Sequence, residues 1–243
     1  MRMYRELAEW FHLLTHPDDY EEEAATYAAA IRHALPDAVT LLELGSGGGN
    51  NASHLKQHFT CTLTDLSEDM LHVSRGINPE LEHFLGDMRT LRLDRTFDAV
   101  FIHDAIEYMS TRESLAQAIE TAFVHTRPGG VALFVPDGVS ETFAPGIDTG
   151  GRDDPDGRGL RYLEWTLPPK PGETTYEVHF AILMKDSDGT TVDHDVHTHA
   201  LFTRDEWHTI IRETGFEILP SPELDPEIHE EQVIFVARRP QPT

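Results

Sequence analysis

The segment "AVTLLELGSGGGNN" (Ala38–Asn51) limits the fold of this chain more than any other. A short continuous apolar run carrying Glu43 near its end passes directly into Gly45, Gly47 and Gly49, and a helix over about residues 50–58 starts at once. A strand that is apolar throughout must be covered on both faces, which a sheet sandwiched between helices provides. The glycines let a ligand press against backbone whose N–H groups donate to it. The same alternation continues downstream. Strands "TCTLTDL", "LEHFLGD", "FDAVFIHD" and "VALFVPD" are interleaved with helices "SEDMLHVSRG" and "TRESLAQAIETAFVHT", with "RPGG" as a turn before the last strand. Upstream, "HPDDYEEEAATYAAAIRHAL" has its acids at the end where a helix dipole favours them. Such an order predicts a parallel sheet with helices on both faces, and a ligand site beyond the carboxyl ends of its strands.

From about residue 137 the pattern changes. "DGVSETFAPGIDTGGRDDPDGRG" reads as a long loop of the kind that covers or lines a site. Two strand-like stretches, "TTYEVHFAILMKD" and "TTVDHDVHTHALF", follow, joined by the hairpin signal "SDG". Thr203 and Glu206 form a capping box for "RDEWHTIIRETG", which Gly215 ends. "FEILP" and "EQVIFVARR" are expected to pair antiparallel at the edge of the main sheet.

At 243 residues the chain is long enough for one large domain, or one domain with a sizeable insertion. No run of about 18 apolar residues occurs, and the N-terminus lacks a signal peptide's apolar core, so a cytoplasmic protein is expected. A lone Cys61 in an apolar-flanked strand excludes an intramolecular disulfide and a cysteine zinc cluster. The formal net charge of −24 repels phosphate backbones and anionic lipid, so neither nucleic acid nor membrane is an expected partner. In "DHDVHTHA", strand alternation puts His197 and His199 on one face and His194 on the other. No third ligand element accompanies them, and no metal is expected.

A dinucleotide fingerprint would need glycine at position 50, where this chain has Asn50. The spacing present, E-x-G-x-G-x-G, resembles motif I of the class I S-adenosylmethionine-dependent methyltransferases. Four further segments resemble that family in the same order: "TDLSEDML", "FLGDMR", "FDAVFIHDAIEYM" and "RPGGVALFVPD". The resemblance implies S-adenosylmethionine as cofactor. Asp65 would accept the ribose hydroxyls, Asp87 and Met88 would hold the adenine, and His103 would stand beside the cofactor. The whole implied set is Tyr20, Glu43, Gly45, Ser46, Gly47, Asp65, Leu66, Met70, Asp87, Met88 and His103. Read alone, Asp65 serves equally as a helix cap, and the glycine turn as structure only.

A narrower resemblance covers "DYEEEA", "ETFAPG", "YEVHF" and "DVHTHALFTRDEWHTIIRETGFEI". These look like the methyltransferases that dimethylate the amino group of nucleotide-linked deoxysugars. The fold implied is Rossmann-like α/β: a seven-stranded, mostly parallel sheet with helices on both faces, plus a small inserted antiparallel sheet over the active site. The corresponding division is a core of residues 1–137 and 203–243 with an insertion of 138–202. Tyr20, His179 and His197 match positions of that subfamily. The chain departs from it at Asp104-Ala105-Ile106-Glu107-Tyr108 and at Asp137-Gly138-Val139, where the acceptor should sit. Tyr108 and Asp137 are therefore expected to contact a small-molecule substrate, with an amino group on a sugar-like acceptor as the first expectation.

An acceptor that arrives as an ammonium or hydroxyl needs a base, and a carboxylate or neutral imidazole suits. The candidates are His103, Asp104, His179 and His197, with Asp137 beside them. "WFH" (Trp10, Phe11, His12) is either a lid or the apolar face of a helix, and the helix face is favoured. Three alternatives share these features: a nicotinamide-dependent oxidoreductase, a cofactor-binding protein without catalysis, and a metal-dependent O-methyltransferase. Monomer and homodimer both remain open.

Overall fold

The computed structural model describes residues 1–220 and 233–242. Seven strands form one sheet: β1 (Thr40–Leu44), β2 (Thr60–Asp65), β3 (Glu82–Leu85), β4 (Phe97–Ile102), β5 (Thr126–Phe134), β10 (Glu217–Ile218) and β11 (Phe235–Arg238). Their order is β10-β11-β5-β4-β1-β2-β3. The five strands from β5 to β3 are parallel to their neighbours, while β11 runs antiparallel to both β5 and β10. Strand order reverses between β1 and β4, so the crevice for a ligand opens past Leu44 and Ile102. The closing pair is found as expected, although the first two residues of "EQVIFVARR" lie outside the described residues.

The continuous apolar runs are explained by burial on both faces. Leu42, Leu44, Val100, Ile102, Ala132 and Phe134 point to one side, against α5 (Arg112–His125) and α6 (Arg204–Thr214). The alternate residues Leu41, Leu63, Ala99, Phe101, Val131 and Leu133 point to the other, against α2 (Glu21–Ala34) and α3 (Asn50–Leu55). α6 begins with the expected capping box of Thr203 and Glu206 and ends at Gly215 with φ +107°. α4 (Glu68–Ile77) is capped by Ser67.

A second, four-stranded antiparallel sheet runs β6-β7-β8-β9. The hairpin of β8 (Thr175–Asp186) and β9 (Gly189–Ala200) is the predicted one. Of the expected long loop, residues Gly146–Gly150 form the edge strand β6, and β7 (Gly159–Thr166) follows it. Nothing local announces β6: its residues are largely exposed, and its order comes from pairing to β7. The inner face of this sheet packs Leu160, Tyr176, Val178, Phe180 and Ile182 against Met3 and Leu13 of the N-terminal segment, which holds α1 (Phe11–Leu14).

Candidate active site

One cleft of about 550 Å³ lies at the β1/β4 reversal, between the main sheet's carboxyl ends and the inner face of the small sheet. All eleven residues expected to hold the cofactor line it, with Asp104, Tyr108, Asp137 and His197. Only His179 among the expected site residues is elsewhere.

The β1–α3 turn forms the floor. Gly45 has φ +75°, and a Cβ there would meet Ala105 Cβ at 2.5 Å and Met88 Cε at 2.7 Å, so nothing larger fits. Asp65, at the end of β2, accepts from the Gly47 N–H at 2.9 Å and the Ser67 N–H at 2.8 Å. Asp65 lines the cleft as well, so it serves the turn and presents a carboxylate to whatever the cleft holds. Burial raises its proton affinity, and these backbone donors oppose that. Asp87 is held in a fork by Arg89, whose Nε lies 3.0 Å from both carboxylate oxygens, and that pairing keeps it ionised below the usual range. Glu43 is 3% exposed, with Oε2 unpartnered, and burial, aided by the charges of Asp65 and Glu23, pushes it up to about 8. The unpartnered buried carboxyl of Glu43 beside a glycine cradle fits a ligand that brings a cationic group to that end.

The N-terminal segment closes this half of the cleft. His12 Nε2 donates to the Gly48 carbonyl at 3.2 Å, and a Cβ at Gly48 would meet the Phe11 ring at 2.6 Å. Phe11 lines the cleft, so the lid reading of "WFH" replaces the favoured helix-face reading. α1 has four residues, too few to present an amphipathic face.

The three candidate histidines divide by geometry. His179 is a correction: β8 residue Val178, not His179, pairs with His197, so His179 points to the outer face, where its ring stacks on His194 at 5.4 Å. A one-residue offset in a strand reverses the face. His197 is buried at 1% exposure, donating from Nε2 to Asp195 (3.2 Å) and accepting at Nδ1 from the Tyr108 hydroxyl (2.8 Å). Tyr108 in turn pairs with Tyr4 at 2.9 Å. Burial lowers the His197 proton affinity despite Asp195. Both nitrogens are engaged, and His197 links Asp195 to Tyr108. His103 is similar: Asn51 Nδ2 approaches Nδ1 at 3.5 Å, leaving the Nε2 proton facing Asp104 Oδ1 at 3.0 Å. Burial lowers it too. It orients Asp104.

Asp104 and Asp137 leave the ends of the adjacent strands β4 and β5 and meet in a side-chain hydrogen bond. The Asp104 side chain is 47% accessible, yet the surface it exposes is that of the cleft, and protein encloses it. That enclosure, more than accessible area, sets its affinity: burial pushes Asp104 up to about 7. Asp137 is likewise exposed, to the cleft, and the surrounding protein with the Asp104 charge raises its proton affinity.

His199, which the sequence placed on the face of His197 without giving it a role, lines the cleft two residues beyond it. Its Nδ1 lies 3.2 Å from Glu107 Oε2 but off the axis of a hydrogen bond, and Nε2 has no partner among the described residues. Strand parity was the available signal. Buried Glu107 accepts from the Tyr176 hydroxyl at 2.7 Å and the Gly138 N–H at 3.2 Å. Glu107, Asp137 and His199 offer ligand atoms within 4.8 Å of one another, the one group among the described residues able to hold a metal ion. Tyr4, Asn50, Asn51 and Glu164 also line the cleft and carried no motif.

A sheet in this order, with a glycine cradle and an acid at the end of β2 lining the cleft, is the arrangement expected of a class I methyltransferase. Comparison with known proteins agrees. Residues 41–130 match the family model described as a methyltransferase domain. The dTDP-3-amino-3,4,6-trideoxy-alpha-D-glucopyranose N,N-dimethyltransferase of Streptomyces venezuelae is 33% identical over 82% of this chain and 84% of its own. The crystal structure of Streptomyces venezuelae DesVI superposes with a TM-score of 0.79 at 28% identity, covering 93% of this chain and 92% of that one. An S-adenosylmethionine-bound amino pentose methyltransferase from Micromonospora echinaspora gives 0.75 at 28% identity, covering 90% and 91%. The chain belongs to the S-adenosylmethionine-dependent methyltransferases, in the family of the nucleotide-linked deoxyaminosugar N,N-dimethyltransferases.

Proposed function

We propose that this enzyme methylates the amino nitrogen of a nucleotide-linked deoxyamino sugar. The observation that carries the reading is the acceptor half of the cleft, lined by Asp104 and Asp137 from the main sheet and by Glu164 from β7 of the small one. An ammonium suits such a wall. Arg5, at the cleft and without an ion-pair partner among the described residues, is available to a diphosphate. S-adenosylmethionine, when bound, supplies a methyl on a sulfonium, an already activated electrophile. Asp65 holds the ribose, Asp87 and Met88 the adenine, and Glu43 with the Gly45–Gly47 backbone the amino-acid end. Tyr20, Leu66 and Met70 complete its walls. Tyr108, fixed by His197 and Tyr4, contacts the acceptor, and alignment of the reacting atoms accounts for much of the rate.

Residues 1–137 with 203–243 form the cofactor-binding core and 138–202 the subdomain covering the acceptor, to which the first residues of the chain also pack. The acidic surface supports a cytoplasmic enzyme acting on a small molecule, without nucleic acid, as a monomer or homodimer. The test is incubation with S-adenosylmethionine and dTDP-linked 3-amino-deoxysugars, followed by mass spectrometry. Gain of one and then two methyl groups on nitrogen is expected; tight cofactor binding with no transfer to any amine would sink the reading. The Glu107, Asp137 and His199 group favours a second reading, metal-assisted O-methylation. Loss of turnover on dialysis against a chelator, restored by a divalent ion, would establish it instead.

A further inference from the structure

His199 stands in the cleft wall, 8% exposed, and neither of its ring nitrogens has a hydrogen-bond partner among the described residues. Leaving buried polar atoms unpartnered costs stability, so a structure that keeps two of them on one ring calls for a ligand there. Its Nδ1 lies 3.2 Å from Glu107 Oε2, yet off the hydrogen-bond axis. Two atoms bonded to one metal ion at about 2.1 Å stand about 3.0–3.4 Å apart. The distance therefore suits neighbouring ligands of an ion, while the direction does not suit a donor and its acceptor. Asp137 brings a third ligand atom, all three lying within 4.8 Å of one another. We propose that Glu107, Asp137 and His199 bind a divalent first-row transition-metal ion, such as zinc or manganese, in the wall of the acceptor half.

Two of the ligands are held in place by the surrounding protein. The Tyr176 hydroxyl donates to Glu107 Oε2 at 2.7 Å and the Gly138 N–H to Oε1 at 3.2 Å, and each oxygen keeps a further lone pair. The rings of Tyr108 and Tyr176 stand edge-on to His199, with centroids at 4.8 and 5.4 Å, and clamp the imidazole. Groups that orient ligands from behind in this way are a regular part of metal sites. Asp137, just past β5, is the exposed ligand, and its side chain is free to close the remaining distance. A mixed imidazole and carboxylate set suits a first-row ion rather than magnesium or calcium, which take oxygen ligands. Three protein ligands leave a position for water or an acceptor oxygen, and Asp137 and His199 put it on the cleft side. Asp104 and Glu164 remain to face an amine. An ion that only holds the acceptor serves transfer to nitrogen or to oxygen. The sequence offered no third ligand element beside "DHDVHTHA"; Glu107 and Asp137 supply it from far along the chain. Both lie in the segments where the chain departs from the deoxyaminosugar subfamily.

The test titrates the chelator-stripped full chain with zinc chloride alone, by calorimetry and thermal melting, with neither substrate present. One tightly held ion per chain is expected, with a rise in melting temperature. His199→Leu and Glu107→Gln should each weaken zinc at least about tenfold and remove most of that rise. The rival site is on the outer face of the small sheet, where His179 Nδ1 and His194 Nε2 lie 3.2 Å apart. His179→Leu should therefore leave zinc affinity unchanged. X-ray absorption at the zinc edge of the wild type, which needs no variant to fold, should show a single imidazole among oxygen ligands. The proposal is overturned by no stoichiometric binding, by two imidazoles on the ion, or by affinity that survives His199→Leu and falls in His179→Leu. None of these readouts uses turnover, so their failure leaves the methyl-transfer reading standing, and failure of methyl transfer leaves them valid.

Discussion

Asp65 combines two readings that compete in the sequence. It ties the β1–α3 turn to the turn after β2 through the Gly47 and Ser67 amides, and it also lines the cleft. Asp65→Ala should weaken S-adenosylmethionine and S-adenosylhomocysteine at least about tenfold, read by calorimetry, as a charged hydrogen-bond acceptor is lost. Glu43 shows the cost of preparing a cationic site. Its folded proton affinity is raised to about 8 from an ordinary 4.5, so its favourable contribution is complete below the ordinary value and is lost as pH rises through 8. The ligand-free Glu43→Gln variant should therefore melt above the wild type at pH 8 to 9, by roughly 2–4 °C for each kcal/mol recovered, with the difference closing near pH 4. Loss of cofactor affinity in the same variant would tie that strain to binding. Glu43 was legible as a motif residue, but its unpartnered oxygen depends on what packs around the end of β1.

The β1–α3 turn shows how an element is fixed by neighbours far along the chain. Gly49 has φ +77°, its carbonyl accepts from Asn78 Nδ2 at 2.9 Å, and a Cβ would meet Ser74 Oγ at 2.2 Å. Gly49→Ala should cost about 2 kcal/mol or more in urea unfolding, combining left-handed backbone strain with a clash against α4. The sequence announces a glycine turn but not that α4 closes over it. The small sheet makes the same point in reverse. β8 and β9 were visible from alternation and their turn, and so was the shared face of His197 and His199. β6 was not, because a five-residue exposed edge strand carries no period of its own. His179 was misplaced because resemblance reports a matched position, whereas the pairing register decides the face that position occupies.

The net charge of −24 surrounds a cleft whose acceptor half is itself acidic. A free amino sugar is drawn in by that field, but on a nucleotide-linked one the diphosphate outweighs the ammonium and the field repels it. For a nucleotide-linked acceptor, KM should therefore fall as salt rises from low ionic strength, and for a free amino sugar it should rise. A KM series in sodium chloride separates the two. Among the described residues no helix is long and apolar enough to cross a membrane. The sequence by itself determined the doubly covered parallel sheet and the glycine cradle, because strand burial and backbone approach are local demands written in adjacent residues. Which histidine faces the cleft, which nitrogens are free, and that Asp104 meets Asp137 were decided only by the tertiary structure. Those facts depend on register, strand order and enclosure, and they join residues far apart in the chain, as with Tyr108 and His197, 89 positions apart, and Met3 and Asp195, 192 positions apart.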